Sequence, residues 1–312
     1  MDKAVTGRLE DIIEASGTAA RLILNEPLSK HTGFRTGGCA DAFIETGDAN
    51  VIGQILALAH SENVPVYVIG NGSNLLAADE GYRGIIIKMT APEGSDAISF
   101  GDGCTVRVPA GCSLGLLAHE CAKKGLTGLE FAAGIPGSVG GAVVMNAGAY
   151  GKEIKDVLTL VTVMDRNGTV SVLKAEELKL DYRYSVVPER GWIVLEAVFT
   201  LKTGDSEQIS GYMAELAGRR REKQPLEYPS AGSIFKRPEG YFAGKLIEDA
   251  GLKGFSVGGA RVSEKHAGFI INTGGATSDD IMTLIDTVRE KVRDRFSVTL
   301  EPEVRMLGFD KE

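Results

Sequence analysis

The stretch AGIPGSVGGAVVMNAGAYG, from Ala133 to Gly151, is the most informative segment of this sequence for predicting its fold. It contains six glycines and no charged residue, whereas a solvent-exposed linker would carry Ser, Asp or Lys. Glycine lets the backbone approach a ligand closely and adopt positive φ. We interpret the stretch as a loop that contacts a flat aromatic ligand with a phosphate tail; a tightly packed loop in a domain core is the alternative. We expect positive φ at four of its glycines: Gly134, Gly137, Gly140 and Gly141.

A second glycine-rich loop, VIGNGSNLL (68–76), follows an apolar strand. A strand that leads into Gly70-x-Gly72 resembles the start of a dinucleotide fingerprint, but Leu75 occupies the third glycine position and no helical pattern follows. We therefore expect successive backbone N–H groups of this loop to converge on an anion. A plain strand-to-strand turn is the alternative. Together with RTGG at residues 35–38, the two loops form a pattern that packing alone does not explain.

Composition and charge argue against several classes of protein. The chain has 312 residues, enough for two or three domains, and no apolar run of the ~18 residues that span a bilayer. Its net charge of −8 argues against general nucleic-acid binding, so we expect neither a nucleic-acid nor a membrane partner. The first 17 residues predict an amphipathic helix and not a secretion signal, which favours a cytoplasmic protein. The four cysteines form no C-x-x-C pair, and we predict no metal site.

Strand and helix patterns are mixed without a steady βαβ alternation, so the predicted fold class is α+β. The pattern changes to short strands near residue 95, and a polar segment lies at 202–206. We therefore divide the chain into an N-terminal helix (1–29), a first lobe (30–94), a second lobe (95–204) and a C-terminal domain (205–312). Further predicted elements are helices at 48–62, 113–125, 206–223, 244–250 and 277–295, the last with a Thr-x-x-Asp capping box, a hairpin with a type I′ turn at Asn167-Gly168, and a final strand at 298–307.

Eight motifs occur in a fixed order along the chain. They are HTGFRTGG (31–38), VIGNGSNLL (68–76), GLEFAAGIPGSVGGAVVMNAGAYG (128–151), DYRYS (181–185), PSAGSIFKRP (229–238), AGKLIEDAGLKG (243–254), VGGARVSEKHAGFIIN (257–272) and LEPEVRMLG (300–308). In this order they resemble the UDP-N-acetylenolpyruvoylglucosamine reductase family, also called UDP-N-acetylmuramate dehydrogenases. The resemblance covers nearly all of residues 28–308. It implies a two-lobed FAD-binding domain of the vanillyl-alcohol-oxidase/p-cresol-methylhydroxylase type over residues 30–204, followed by an α+β substrate-binding domain.

The same resemblance implies an NADP-dependent flavoenzyme of peptidoglycan precursor synthesis. NADPH reduces noncovalently bound FAD, and reduced FAD reduces the enolpyruvyl ether of a UDP sugar, UDP-N-acetylglucosamine enolpyruvate, to UDP-N-acetylmuramate. An FAD-dependent carbohydrate oxidase on the same fold is the alternative; it would turn over with oxygen and without NADPH. The short spacing between Arg183 and Ser233 leaves no room for the tyrosine-bearing loop that some members insert over the substrate.

The catalytic residues follow from matching the motifs. The diphosphate partners come from a basic cluster at 219–237 that includes the Ser233 segment, for which a solvated charged face is the alternative. The resemblance implies that Arg183 and Glu303 stabilise a negatively charged intermediate and that Ser233 donates a proton. The predicted substrate-binding residues are Arg220 and Lys236, for the diphosphate, and Tyr150, which is either a stacking residue or core filler. The predicted FAD-binding residues are Arg35, Gly70, Asn71, Gly72, Ser73, Asn74, Leu75, Gly134, Ile135, Pro136, Gly137, Ser138, Gly140, Gly141, Ala142, Asn146, Ala147 and Gly148.

The chemistry of the three catalytic candidates agrees with these roles only in part. Arg183 is permanently cationic and can bind a carboxylate with two parallel hydrogen bonds. Glu303 helps a negative intermediate only if it is protonated or acts through Arg or water, and strand alternation places it away from the core. A solvated carboxylate is therefore the alternative for Glu303, and a local turn residue is the alternative for Ser233.

Overall fold

The computed structural model describes residues 1–91 and 97–309. The chain divides into two compact units, each built from separate segments. The predicted boundary between the two N-terminal lobes lies outside the described residues, as does the end of the predicted C-terminal domain, so the four predicted segments stay a prediction. No helix in these described ranges is long and apolar enough to cross a bilayer. Unit 1 comprises Met1–Leu24, Asp41–Asn71 and Gly84–Gly218, and unit 2 comprises Asn25–Ala40, Gly72–Arg83 and Arg219–Glu312.

Helices and strands are intermixed along the chain, which confirms the α+β class. The helices are α1 (Lys3–Ser16), α2 (Ala49–Ser61), α3 (Leu114–Lys123), α4 (Val139–Val144), α5 (Ser206–Lys223), α6 (Ala243–Asp249) and α7 (Ser278–Phe296). The strands are β1 (Arg21–Pro27), β2 (Cys39–Thr46), β3 (Val66–Ile69), β4 (Leu75–Ala77), β5 (Tyr82–Met89), β6 (Ser99–Phe100), β7 (Thr105–Pro109), β8 (Leu126–Thr127), β9 (Gly148–Ala149), β10 (Lys152–Glu153), β11 (Leu158–Met164), β12 (Val170–Lys174), β13 (Ile193–Thr200), β14 (Lys202–Thr203), β15 (Ser256–Val257), β16 (Ala260–Val262), β17 (Ile270–Asn272) and β18 (Arg305–Leu307).

Two sheets account for most of the strands of unit 1. One has the order β1-β2-β5-β3 and the other the order β12-β11-β13-β7-β6. Strand β3 pairs in parallel with β5, whose Ile85, Ile86 and Ile87 are fully buried, as expected for a strand covered on both faces. Helix α2 begins after Asp48, whose carboxylate accepts hydrogen bonds from two N–H groups of the first turn, as its predicted N-cap role requires.

Strands β11 and β12 form the predicted hairpin, but its turn differs from the prediction. The Gly168 N–H donates to the Asp165 C=O (3.1 Å), and the Asp165 carboxylate accepts from the N–H groups of Asn167 (2.8 Å) and Thr169 (2.9 Å). Within this turn only Gly168 has positive φ (82°), whereas a type I′ turn needs it at both central residues. The type I′ prediction is wrong because the Asp165 side chain stabilises a longer loop.

Helix α7 forms one side of the core of unit 2. It begins at the predicted capping box, in which Thr277 Oγ1 accepts from the Asp280 N–H (3.0 Å) and the Asp280 carboxylate accepts from the Thr277 N–H (3.1 Å). The sheet of unit 2 has the order β15-β16-β17, and β18 pairs in parallel with β4. The buried face of α7 is the predicted one: Ile281, Leu284, Ile285, Val288 and Val292.

The final predicted strand (298–307) is shorter in the structure, where β18 covers only Arg305–Leu307. Pro302 interrupts a longer ladder, because proline has no N–H to donate, and it takes part only in an isolated bridge. The predicted alternation of burial holds only in part. Leu300 and Val304 are buried, but Glu303 is half-buried like Pro302, and Leu307 is buried whereas Met306 is only half-buried.

Candidate functional site

Two of the three catalytic candidates, Ser233 and Glu303, lie on neighbouring backbone segments of unit 2. The Glu303 N–H donates to the C=O of Ile234 (2.7 Å), the residue that follows Ser233. On its other side, Ser233 forms an antiparallel bridge with Phe269. Ser233 is exposed and Glu303 is half-buried. The structure therefore places these two residues, which are distant in the sequence, on adjacent backbone segments.

Asn74, a predicted FAD-binding residue, holds the backbone of Glu303. Its Nδ2 donates to the Glu303 C=O (3.1 Å), and its own C=O accepts from the Arg305 N–H (3.0 Å). Nothing in the sequence signals this contact, because 229 residues separate Asn74 from Glu303.

Arg183, the third catalytic candidate, lies in unit 1 in a tight turn. Asp181 and Tyr184 close the turn by exchanging two N–H···O=C bonds of 3.1 Å each. The Arg183 guanidinium donates from Nη2 to the Gly148 C=O (3.2 Å), and its Cζ lies 5.1 Å from the ring centroid of Tyr182. A carbonyl of the predicted FAD-binding stretch and a cation–π contact thus orient this side chain.

Unusual backbone conformations concentrate at the predicted site. Nine non-glycine residues in the described part of the chain have positive φ. Positive φ is uncommon for residues with a Cβ and persists only where the surrounding structure enforces it. Four of the nine are residues that the motifs assign to the site, which is an observation independent of those motifs. These four are Arg35 (58°), Asn146 (40°), Tyr150 (55°) and Arg183 (54°).

The glycines of the opening stretch behave differently from the prediction. The segment forms helix α4, capped by Ser138, whose Oγ accepts from the Gly141 N–H (3.3 Å). A Cβ at Gly140 would lie 2.8 Å from the Ala110 Cβ, so packing within the protein requires glycine there. This agrees with the packed-loop alternative. The expected positive φ is wrong at all four positions: Gly134, Gly137, Gly140 and Gly141.

The second glycine-rich loop supplies backbone donors. No described residue accepts a hydrogen bond from the backbone N–H of Asn71, Gly72 or Ser73, and Gly72 has positive φ (61°). Three successive N–H groups without a protein acceptor are a donor set suited to a phosphate. Within unit 1, a Cβ at Gly70 would overlap Ser138 Oγ, so the two predicted FAD loops meet there.

The remaining FAD-binding predictions have varied environments. Asn146 is fully buried, and its side-chain amide makes three hydrogen bonds within unit 1. These bonds use both N–H groups of the amide and one of the two lone pairs of its oxygen. Leu75 begins β4, Ile135 and Pro136 precede α4, Ala142 lies within it, and Ala147 and Gly148 follow it.

The predicted substrate-binding residues already have protein partners. Lys236 forms an ion pair with Glu301 in unit 2, and Arg220 Nε donates to Gln224 Oε1 (2.9 Å). In unit 1 Tyr150 is 45% exposed, and its hydroxyl donates to a carbonyl of α5 (3.1 Å). That exposure argues against core filler.

Arg35 lies in a turn of unit 2 that two residues near the C-terminus support. Asn272 Nδ2 donates to the Phe34 C=O (2.9 Å), and Ser278 Oγ donates to Thr36 Oγ1 (2.8 Å). Both supporting side chains are buried. Sequence analysis missed them, because 238 and 242 residues separate the partners and no local pattern marks such a contact.

His266 has a structural role close to the Ser233 segment. Its Nδ1 accepts from the Gly268 N–H (3.1 Å), and its ring packs edge-on against Phe269 with centroids 5.0 Å apart. Burial lowers the pKa of His266 below its usual value. The ring is therefore neutral at neutral pH, in keeping with a hydrogen-bonding residue.

Comparisons with known proteins agree with the motifs. A family model described as "UDP-N-acetylenolpyruvoylglucosamine reductase, C-terminal domain" matches residues 224–307, and one described as "FAD binding domain" matches residues 40–174. UDP-N-acetylenolpyruvoylglucosamine reductase of Caldanaerobacter subterraneus is 46% identical over 308 residues, 99% of both chains. That of Agathobacter rectalis is 53% identical over 296 residues, 92% of this chain and 94% of the relative.

A solved structure extends the agreement to three dimensions. The crystal structure of UDP-N-acetylenolpyruvylglucosamine reductase (MurB) from Thermus caldophilus matches with a TM-score of 0.77 and 36% identity, covering 92% of this chain and 98% of that one. The predicted order, an FAD-binding fold followed by a reductase C-terminal domain, is confirmed by the two family models. The chain belongs to the UDP-N-acetylenolpyruvoylglucosamine reductase family.

Proposed function

We propose that this protein reduces UDP-N-acetylglucosamine enolpyruvate to UDP-N-acetylmuramate in peptidoglycan precursor synthesis, with FAD as cofactor and NADPH as reductant. The observation that carries the proposal is 46–53% identity, over nearly the whole chain, to relatives named for this reductase. The family models for an FAD binding domain and for the reductase C-terminal domain support the same assignment. A cytoplasmic location and the lack of a nucleic-acid partner stay predictions.

The donor set around Gly72 fits the diphosphate of FAD. Asn71, Gly72 and Ser73 offer three backbone N–H groups that no described residue uses, and a diphosphate supplies matching acceptors. The apolar stretch around α4 is assigned to the flavin ring. When bound, FAD supplies hydride transfer from NADPH to the substrate. We expect it to be noncovalent, although Cys39 follows the RTGG motif; acid precipitation that leaves yellow colour in the pellet would contradict this.

The protein must supply charge stabilisation and a proton. Arg183 binds the carboxylate of the enolpyruvyl group through its planar guanidinium and stabilises the charge that develops there. Ser233 Oγ–H donates the proton to the carbon that does not receive the hydride. Glu303, on the backbone segment next to Ser233, is the second stabilising group, in its protonated form or through an arginine or a water molecule.

The UDP moiety needs cationic and stacking partners. We assign Arg220 and Lys236 to the diphosphate and Tyr150 to stacking, in a protein whose net charge of −8 otherwise repels the substrate. Binding to Lys236 requires the substrate to compete with Glu301, its present partner. Raising the salt concentration should therefore increase KM for the UDP sugar and leave the anaerobic rate of reduction by saturating NADPH less affected.

The decisive test separates the two half-reactions under anaerobic conditions. The purified protein should show a flavin spectrum that NADPH bleaches and that UDP-N-acetylglucosamine enolpyruvate restores. Ser233→Ala should keep the first step and slow the second by ~10²–10⁴-fold, as expected for loss of a general acid. Ser256→Ala, an exposed serine of the same unit, is the matched control and should change neither step.

Two results would contradict these assignments. Equal slowing of both half-reactions in Ser233→Ala would remove Ser233 as the proton donor. The carbohydrate oxidase would be favoured if the enolpyruvyl sugar did not reoxidise the flavin and the protein oxidised a carbohydrate with oxygen and without NADPH.

A further inference from the structure

We propose that Asn146 and Ser185 are positioning residues that act through Arg183. They attach the turn that carries Arg183 to the segment 144–148, and so fix where the guanidinium lies. The inference rests on the proposed function, in which Arg183 binds the enolpyruvyl carboxylate. It gives Asn146 a role other than the FAD contact that the motifs suggested.

The Arg183 turn has a backbone that its own sequence disfavours. Asp181 and Tyr184 close it with two hydrogen bonds, and of the two central residues only the second, Arg183, has positive φ (54°). This sign pattern is that of a type II turn, whose second central position favours glycine or asparagine. An arginine stays in this conformation only where neighbouring groups enforce it. Supports for this turn should therefore be present around it.

Three hydrogen bonds attach the turn to the segment 144–148. Asn146 Nδ2 donates to the Asp181 C=O (2.9 Å), and Ser185 Oγ donates to the Val144 C=O (2.7 Å). The third bond is made by the Arg183 guanidinium itself, to a carbonyl of the same segment (3.2 Å). Asn146 is 0% and Ser185 2% exposed, so water cannot replace either bond. The turn is thus held before, at and after Arg183.

The amide of Asn146 is fixed in one orientation. Its Nδ2 also donates to Glu153 Oε2 (3.0 Å), and its Oδ1 accepts from the Lys155 N–H (2.9 Å). Two acceptors therefore face its nitrogen and one donor faces its oxygen. An aspartate of the same shape would direct an oxygen at the Asp181 C=O and at the Glu153 carboxylate, both of which repel it. Asparagine also tolerates the positive φ (40°) found here.

Small displacements of this turn should affect chemistry more than folding. A reacting group misplaced by ~1 Å can cost ~10²-fold in rate, while the loss of one buried hydrogen bond lowers stability without acting on one half-reaction more than the other. The consequence is specific to one step. Oxidation of the flavin by the enolpyruvyl sugar needs Arg183 against the carboxylate, whereas reduction of the flavin by NADPH involves no such group.

The test compares two serine-to-alanine variants in unit 1. Ser185→Ala removes the 2.7 Å bond to the Val144 C=O, and Ser206→Ala removes a 2.7 Å bond to the Ala122 C=O, away from the Arg183 turn. In single-turnover experiments Ser185→Ala should slow reoxidation by UDP-N-acetylglucosamine enolpyruvate about 10-fold and keep reduction by NADPH within about twofold of wild type. Ser206→Ala should keep both rates within about twofold. Both variants should retain FAD absorbance and similar melting temperatures.

A double variant shows whether the effect passes through Arg183. Ser185→Ala added to Arg183→Ala should slow reoxidation by less than about twofold further, because the group that Ser185 positions is already gone. Asn146→Ala should also slow reoxidation selectively, and by a larger factor than Ser185→Ala. If the Asn146→Ala variant fails to fold, the comparison of Ser185→Ala with Ser206→Ala is sufficient for the test.

The outcomes separate this inference from the proposed function. Additive losses in the double variant, or equal slowing of both half-reactions in Ser185→Ala, would overturn the positioning role and leave the proposed function standing. If the enolpyruvyl sugar fails to reoxidise the flavin of the wild-type protein, the proposed function is overturned, and this inference with it.

Discussion

The turns that carry Arg183 and Arg35 have the same unusual backbone and different supports. Both arginines have positive φ, 54° and 58° respectively. The Arg183 turn, in unit 1, is held by partners 35 to 41 residues away in the sequence. The Arg35 turn, in unit 2, is held by Asn272 and Ser278, which lie 238 and 242 residues from their partners. A strained turn can therefore be maintained by near neighbours or by the far end of the chain.

This difference shows which contacts around the candidate site can be predicted from the sequence. Motifs such as DYRYS and NAGAYG lie close enough together to be recognised as parts of one site. The supports of Arg35 belong to segments whose local patterns indicate a strand and a helix cap, and nothing in those patterns points to residues near the N-terminus. Long-range closure of this kind also costs more chain entropy before it is formed.

The largest expected effect separates the two arginines by function. Arg183→Ala should slow reoxidation of the flavin by the enolpyruvyl sugar ~10²–10³-fold, the size seen when a charge-stabilising donor is removed. Arg35→Ala should mainly weaken FAD binding, measured by titration of the apoprotein. Arg183→Lys tests geometry, because it keeps the charge and loses the two-bond fork. If both alanine variants had the same defect, the two arginines would share an unusual backbone conformation without differing in function.

The next effect concerns the distant support of Arg35. Asn272→Ala leaves the Phe34 C=O buried without a donor and should lower the free energy of unfolding by ~1–3 kcal/mol. Urea unfolding measures this, and FAD titration should show weaker binding. Asn167→Ala, at an exposed position of the β11–β12 hairpin, is the matched control, expected within ~0.5 kcal/mol of wild type. Equal stability of the two variants would remove Asn272 as a support.

A smaller effect measures the strain itself. At both positions the glycine variant should be more stable than the alanine variant by about 1 kcal/mol, because glycine adopts positive φ without a steric penalty. Arg183→Gly against Arg183→Ala, and Arg35→Gly against Arg35→Ala, give the two differences in urea unfolding. A difference at one arginine and not at the other would show that only one turn is strained.

The smallest effect is a pH dependence confined to unit 2. Burial lowers the folded-state pKa of His266, so the unfolded chain binds the proton more readily. The contribution of this group to stability is present above the unfolded pKa of about 6.5 and is lost as pH falls below it. His266→Asn keeps an acceptor for the Gly268 N–H and removes the titration, so its stability should fall less between pH 7.5 and pH 5.5. Parallel pH profiles would contradict this.

Much of the fold follows from local patterns, and the errors have physical causes. Helix α5 has its predicted bounds, and α7 begins at its predicted capping box. The turn at Gly168 is not the predicted type I′ turn, because the Asp165 carboxylate accepts hydrogen bonds from backbone N–H groups of the loop. The preference of Asn-Gly for type I′ turns takes no account of such a neighbouring side chain. The final strand was predicted too long because the alternating pattern of the sequence continues through Pro302, although the strand ladder does not.

The candidate site, like the fold, could be predicted from the sequence only in part. The motifs identified Arg183, Ser233 and Glu303 as candidates, and the structure places the latter two on adjacent segments. Composition suggested that the glycines around α4 serve a ligand, but at Gly140 it is close packing against Ala110 that requires glycine. Sequence composition cannot distinguish these two reasons for a missing side chain.

The contact between Asn74 and the end of the chain has a consequence for biosynthesis. The loop after β3 gains the bonds to Glu303 and Arg305 only when β18 and the residues before it have been made, and Glu303 follows Asn74 by 229 residues. A growing polypeptide released before residue 305 lacks this clasp. Flavin binding by this loop should therefore be complete only after translation has passed β18.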